Sequence, residues 1–127
     1  MSERSTILLV DDVLEIRYLL RMLLANVRHC QIVGEAENGV RTLELVRELR
    51  PEIVVLDVEM PLMGGLEVLA EIRRIAPATK VIMYSSDPTA EARSLSLGAS
   101  AYLAKGADPL LLVDTVRQVS LALLEAM

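Results

Sequence analysis

The chain has 127 residues, a net charge of -5 and a sequence pI near 4.9. This length is most simply one domain, and the acidic balance argues against a nucleic-acid-binding surface, which needs a basic patch. Cys30 is the only cysteine, so no disulfide can form within the chain. No apolar run approaches the roughly 20 residues of a membrane-spanning helix, and no signal-peptide pattern is present. We therefore expect one cytoplasmic domain that binds neither nucleic acid nor membrane directly.

Short β-rich runs alternate along the chain with segments of helical period. The pattern predicts strands at residues 6–10, 31–36, 53–56, 81–85 and 101–103. Each run is followed by a helical segment, and five βα units indicate a doubly wound α/β fold with a parallel sheet. Hydrophobic residues make up 53% of the chain with no Phe or Trp, which is typical of aliphatic strands covered by helices on both faces.

The helical segments carry start and stop signals. Asp12 is placed to cap the first helix. The spacing of the second helix predicts an inward face made of Val40, Leu43, Val46 and Leu49. The fourth segment, residues 88–97, has the poorest apolar face, so we expect it to be the most mobile. Asp108 precedes a proline and is predicted to cap the fifth helix.

Charged side chains follow three of the predicted strands. Asp11 and Asp12 follow the first strand, Asp57 follows the third and Lys105 follows the fifth. Because the carboxyl ends of parallel strands lie along one edge of a sheet, these residues can converge there. Clustered carboxylates suit Mg²⁺, and a facing lysine would orient a phosphoryl oxygen. With charge neutralised by the metal ion, one carboxylate can act as a nucleophile toward phosphorus.

Several motifs occur together in a fixed order. They are the pair Asp11-Asp12, the D-x-x-M-P-x-M-x-G run from Asp57 to Gly65, Ser85 ending the fourth strand, Tyr102 in the fifth, and Lys105. With these motifs the chain resembles the receiver domain of two-component response regulators over essentially its whole length. The resemblance implies one receiver domain over residues 1–127. It also implies a flavodoxin-like three-layer (βα)5 sandwich with a five-stranded parallel sheet in the order 2-1-3-4-5.

The resemblance assigns a role to each residue of the predicted site. Asp57 would accept a phosphoryl group from a histidine kinase, so the domain is a phosphoacceptor and not an enzyme acting on other substrates. Asp12, Asp57 and the backbone carbonyl of Glu59 would bind Mg²⁺ or Mn²⁺ directly, with Asp11 acting through water. Lys105 would hold a phosphoryl oxygen.

Four further residues have implied roles in signal output. Ser85 would bond a second phosphoryl oxygen, and Tyr102 would turn into the space that Ser85 leaves. This movement would change the face made by the fourth helix, fifth strand and fifth helix, which would control a downstream partner or output domain. Separately, Leu111 and Leu121 fall off the inward stripe of the fifth helix, which suggests a phosphorylation-favoured homodimer through this face. Glu59 and Asp87 would tune the lifetime of the phosphoryl group.

The subfamily is open on sequence grounds. Gly106 stands where many receivers have proline after the lysine, so we do not expect a cis peptide there. With residues 33–39, this variant resembles receivers attached to helix-turn-helix DNA-binding domains. Residues 56–61 and the Ser85-Ser86 pair instead resemble the receivers of chemotaxis methylesterases.

Two other functions compete with the receiver hypothesis. One is a Mg²⁺-dependent phosphohydrolase of the haloacid dehalogenase type, with Asp57 as nucleophile and Glu59 as general acid. Such enzymes carry the nucleophile on the first strand and need a cap insertion, which this sequence lacks. The other is a protein-binding module that works without phosphorylation, whose site would usually have lost an acid or the lysine.

Overall fold

The protein is described by a computed structural model that covers residues 4–126. Five parallel strands form one sheet in the order β2-β1-β3-β4-β5. The strands are Ser5–Val10 (β1), Cys30–Ala36 (β2), Ile53–Leu56 (β3), Lys80–Ser85 (β4) and Ala101–Ala104 (β5). The predicted fold class and strand order are confirmed, and every predicted strand boundary is correct to within one residue.

Helices cover both faces of the sheet. They are Leu14–Leu24 (α1), Gly39–Leu49 (α2), Gly65–Ile75 (α3), Glu91–Ser96 (α4) and Pro109–Glu125 (α5). The buried side chains of α1 and α5 join one apolar cluster, and those of α2 and α3 join the other. The short α4, which follows a 3₁₀ turn at Pro88–Ala90, lies against α3 and β5. None of the helices within residues 4–126 has both the length and the apolar character needed to cross a membrane.

The central strand β3 fixes the position of the residue that follows it. All four of its side chains are fully buried, with Val54 and Leu56 in one cluster and Ile53 and Val55 in the other. Apolar burial on both faces holds such a strand in one register. The backbone N–H of Asp57 continues the sheet by donating to Val10 O at 3.1 Å. The backbone of Asp57 is therefore held rigidly at the end of β3.

The loop from β3 to α3 is closed by a glycine. Gly65 N donates to Val58 O at 2.8 Å, which brings the two ends of the loop together. A β carbon at Gly65 would lie 2.0 Å from the backbone oxygen of Asp57, so any other residue would force the strand end and the helix start apart. Both ends of the loop between β3 and α3 are consequently fixed.

Some local predictions were wrong. Asp12 does not cap α1, because the helix begins later, with Val13 at the N-cap position and no side-chain cap. Asp11 instead accepts a hydrogen bond from Val13 N at 2.9 Å. On α2, Leu43 and Val46 are buried as predicted, but Val40 and Leu49 are 58% and 40% exposed, because the buried face is rotated toward Thr42 and Leu45. Asp108 caps α5 as predicted, since its side chain accepts from Leu110 N.

Candidate functional site

Three carboxylates converge at the carboxyl edge of the sheet. One oxygen each from Asp11, Asp12 and Asp57 lie within 4.8 Å of one another. The convergence follows from topology, because β1 and β3 are neighbours with Val10 opposite Leu56. Asp11 and Asp57 are buried, whereas Asp12 is exposed. The structure thus brings the predicted acids together, with one of them facing solvent.

Lys105 lies between two of these acids. Its Nζ is 2.7 Å from Asp11 Oδ2 and 3.3 Å from Asp57 Oδ2. The lysine backbone is held as well, because Lys105 N donates to the carbonyl oxygen of Ser85 at 2.9 Å. Lys105 therefore projects from the end of β5, anchored to the end of β4, and crosses the sheet edge to the carboxylates of β1 and β3.

Burial and charge set the protonation of this group. The pKa of Asp57 is raised to about 6, mainly by burial of the carboxyl group and also by the neighbouring Asp11 carboxylate. The Lys105 ammonium and the hydrogen bond from Glu59 N, 3.1 Å from Asp57 Oδ1, act in the opposite direction. Burial disfavours the Lys105 ammonium, but Asp11 and Asp57 more than offset this, so the lysine pKa is raised. One ammonium does not balance three carboxylates, and the edge stays electronegative.

The acid cluster fits a small hard cation. Asp11 Oδ2 is buried, and the charged group that faces it is the Lys105 ammonium at 2.7 Å, which Asp11 shares with Asp57. Oxygen ligands with excess negative charge are what Mg²⁺ prefers in proteins. The side chains that could hold such an ion are Asp11, Asp12 and Asp57. The Glu59 carboxylate is not one of this group and accepts a hydrogen bond from Ser86 Oγ at 2.9 Å.

Ser85 and Tyr102 meet at one peptide segment. Ser85 is fully buried at the end of β4, and its Oγ accepts from Asp87 N at 3.1 Å. Tyr102 is half-buried on β5 beside the same strand, and its hydroxyl donates to the carbonyl oxygen of Asp87. The two hydroxyl groups therefore hold the backbone of Asp87 from either side. The Asp87 carboxylate accepts from Thr89 N and Thr89 Oγ1, so it caps the 3₁₀ turn.

Comparison with known proteins identifies the family. A family model described as "Response regulator receiver domain" matches residues 7–117. The chain belongs to this family. It is therefore a receiver domain of two-component signalling, as the site geometry and the strand order lead one to expect.

Several relatives of the receiver are informative. Response regulator GacA of Pseudomonas aeruginosa is 38% identical over 116 residues, which is 89% of this chain and 54% of GacA. A protein-glutamate methylesterase/protein-glutamine glutaminase of Burkholderia thailandensis is 42% identical over 111 residues, 82% of this chain and 31% of that protein. The chain thus spans about half the length of GacA and about a third of the length of the methylesterase.

The fold comparison agrees with the family. A response regulator of the LuxR family from Aurantimonas sp. SI85-9A1 superposes with a TM-score of 0.87 at 30% identity, covering 94% of this chain and 86% of that one. The receiver is similar both to regulators of this kind and to the methylesterase receiver, so the choice between subfamilies stays open.

One residue of the receiver site, Arg17 on α1, was not predicted from the sequence. Its Nη1 donates to the backbone oxygen of Asp11 at 2.6 Å, and its Nε donates to Glu35 Oε1 on β2 at 3.1 Å. Only 13% of the Arg17 side chain is exposed. Arg21, one turn later, also contacts Glu35 but is 47% exposed. Arg17 therefore ties the start of the acid pair to the neighbouring strand.

We predict that Asp57→Asn stabilises the metal-free receiver at alkaline pH. A folded-state pKa of about 6, above the ordinary 3.8, means that protonated Asp57 favours folding and that this contribution is lost as pH rises through about 6. Asparagine stays neutral at every pH. The free energy of unfolding of the Asp57→Asn variant at pH 8 should therefore exceed that of the wild type by about 1–3 kcal/mol. Urea denaturation with a chelator present measures the difference.

The advantage of Asp57→Asn should shrink as pH falls toward 4, where the wild-type carboxyl also becomes neutral. Asp12→Asn is the matched control, because Asp12 belongs to the same acid group but is exposed. A constant difference between Asp57→Asn and the wild type from pH 4 to pH 8 would contradict the electrostatic explanation.

We also predict that Arg17→Ala weakens Mg²⁺ binding. Removing the guanidinium frees the Asp11 backbone, and loss of a partner that orients a metal ligand typically costs about tenfold or more in metal affinity. Isothermal titration with Mg²⁺ measures the change. Arg21→Ala is the control, since it loses a Glu35 contact but none to Asp11. Equal Mg²⁺ affinities for the two alanine variants would show that Arg17 does not position the site.

Proposed function

We propose that this receiver accepts a phosphoryl group on Asp57 from the phosphohistidine of a histidine kinase, in a Mg²⁺-dependent reaction in the cytoplasm. The proposal rests on the position of Lys105, whose Nζ lies 2.7 Å from Asp11 Oδ2 and 3.3 Å from Asp57 Oδ2. A compact ammonium beside a buried nucleophile is suited to hold one oxygen of an incoming phosphoryl group. No second candidate function is favoured by an observation of this strength.

The proposed step is a simple displacement at phosphorus. A carboxylate oxygen of Asp57 forms the new O–P bond while the P–N bond to the donor imidazole breaks and the nitrogen keeps the electron pair. Mg²⁺ or Mn²⁺, held directly by Asp12, Asp57 and the Glu59 carbonyl and through water by Asp11, would offset the charge of the phosphoryl oxygens. Asp57 contributes a fixed direction of attack, because its backbone is hydrogen-bonded to β1.

The donor is proposed to be a protein because of the surface beside the site. Leu14, Tyr18 and Met22 are 64%, 65% and 60% exposed. They are spaced four residues apart, so they form one apolar stripe along α1, which begins two residues after Asp12. Exposed apolar surface of this kind favours contact with another protein.

The proposed output passes through Ser85 and Tyr102. The Ser85 hydroxyl would donate to a phosphoryl oxygen, and Tyr102 would release the Asp87 carbonyl and turn inward. The face of α4, β5 and α5 would change shape and so control a downstream partner or an output domain. This face carries exposed Leu95 and Leu111, which support a phosphorylation-favoured homodimer as a further proposal. Light scattering by the two forms would test it.

We predict a single phosphoryl adduct after incubation with acetyl phosphate and Mg²⁺. Asp57→Asn should abolish the adduct, because an amide oxygen is a poor nucleophile, and chelation of Mg²⁺ should do the same. Intact mass after acid quenching measures it. Asp12→Asn should form the adduct only at higher Mg²⁺ concentration, because it removes one metal ligand and leaves the nucleophile.

Two outcomes would replace this proposal with a competing one. Multiple turnover of a phosphate ester would indicate a phosphohydrolase. A folded wild type that binds Mg²⁺ but forms no adduct with acetyl phosphate or with a phosphorylated kinase would indicate a binding module independent of phosphorylation.

We propose that the Glu59 and Asp87 carboxylates disfavour reaction with anionic small donors, and that they lengthen the life of the adduct by ordering or excluding water near it. Glu59→Gln and Asp87→Asn test charge alone, because each keeps an oxygen acceptor for its hydrogen bonds to Ser86 and Thr89. We expect each variant to lose its phosphoryl group at least about twofold faster and to react faster with acetyl phosphate. Unchanged decay and donor preference in both variants would remove the role.

A further inference from the structure

Leu62 has an unusual position at the tip of the loop between β3 and α3. Its side chain is 97% exposed, the highest value of any large hydrophobic residue in residues 4–126. Two apolar neighbours in the same loop, Met60 and Met63, are partly buried and pack against the core. The two methionine side chains therefore point toward the core and the Leu62 side chain points into solvent. Leu62 lies five residues after Asp57 in the sequence.

The backbone at Leu62 is also strained. Its φ is +71°, and Met63 N donates to Pro61 O at 2.8 Å, which closes a γ-turn around Leu62. A γ-turn with positive φ at its centre is rare and strained, and a β carbon adds to the cost. Glycine, without a β carbon, would fit this turn more easily.

Other residues with positive φ in the described chain serve the fold. Arg50 ends α2, and its N–H donates to Val46 O. His29 holds the start of β1, because its carbonyl accepts from Ser5 N at 2.6 Å. Leu62 has no comparable role, since its side chain lies in water and its turn is closed by the residues on either side of it.

The strained turn is nevertheless held in place. The hydrogen bond from Gly65 N to Val58 O closes the loop below Leu62, and Gly65 fits against the Asp57 backbone with no room for a β carbon. Leu62 is therefore presented at a defined point near the phosphoacceptor. A strained, solvated leucine that gains nothing within the domain is expected to gain its contacts from a partner.

We propose that Leu62 is a docking contact for the phosphodonor protein, inserting into an apolar groove beside the phosphohistidine. This inference rests on the proposed function of Asp57. The position decides the partner: Leu62 lies at the carboxyl edge that a donor must reach, on the same edge as the start of the α1 stripe. The proposed output face, made by α4, β5 and α5, is formed by other parts of the chain.

The test separates protein donors from small donors. Leu62→Gly, Leu62→Asn and Leu62→Met are compared for the rate of adduct formation with acetyl phosphate and for transfer from a radiolabelled kinase. The kinase is chosen as the one that phosphorylates the wild type fastest among the autophosphorylated kinases of the source organism. Thermal unfolding of each variant is measured alongside.

We expect Leu62→Gly and Leu62→Asn to lose about tenfold or more in kcat/KM with the kinase, mainly through KM, because a buried leucine contact is lost. Their rates with acetyl phosphate should stay within about twofold of the wild type, since Leu62 takes no part in the chemistry. Both should unfold at or above the wild-type temperature, because glycine and asparagine tolerate positive φ. Leu62→Met should keep most of the kinase activity, since it retains the apolar bulk.

Leu49→Gln is the control, because Leu49 is an exposed leucine at the end of α2, next to the opposite edge of the sheet. Unchanged kinetics with the kinase for Leu62→Gly would overturn the docking role, as would an equal loss with acetyl phosphate, which would indicate damage to the site. Failure of every kinase to phosphorylate a wild type that acetyl phosphate does modify would overturn it too. Failure of both donors would instead count against the phosphoacceptor role of Asp57.

Discussion

Repulsion among carboxylates at one sheet edge, held in check by a single ammonium group, is the constraint on which this receiver depends. Asp11 and Asp57 are buried where water cannot screen them, and Lys105 is the positive charge between them. The repulsion between these carboxylates destabilises the folded protein, but it also makes the sheet edge attractive to a cation. In the proposed function, a cation and a phosphoryl group would find oppositely charged partners already in position there.

The surrounding structure keeps the charged groups from moving apart. Asp57 is fixed by a central strand buried on both faces, and Lys105 by its backbone bond to the end of β4. The backbone of Asp11 is held by Arg17, which is itself held by Glu35. Asp11, Asp57 and Lys105 are thus each anchored to a neighbouring strand or helix, so the fold as a whole resists their repulsion.

Much of this could be predicted from sequence because it follows from burial and topology. Strands such as β3 are uninterrupted aliphatic runs, and parallel order alone brings Asp57 to the same edge as Asp11 and Lys105. Periodicity placed Leu43 and Val46 correctly on the buried face of α2 but misplaced Val40 and Leu49, because the edges of that face depend on how the helix rotates when it packs. Arg17 was missed because its partners are distant in sequence, and Leu62 because local preferences disfavour its backbone conformation.

The peptide segment at Asp87 has a consequence for how the receiver would change state. Its N–H is bonded to the Ser85 hydroxyl and its carbonyl to the Tyr102 hydroxyl, so both side chains share one short piece of backbone. In the proposed switch, rotation of either side chain would remove one of the two hydrogen bonds that hold this segment. Conformations with only one of the two side chains turned would be sparsely populated, so the domain would switch between two states. The cooperativity of that switch would depend on Ser85, Asp87 and Tyr102.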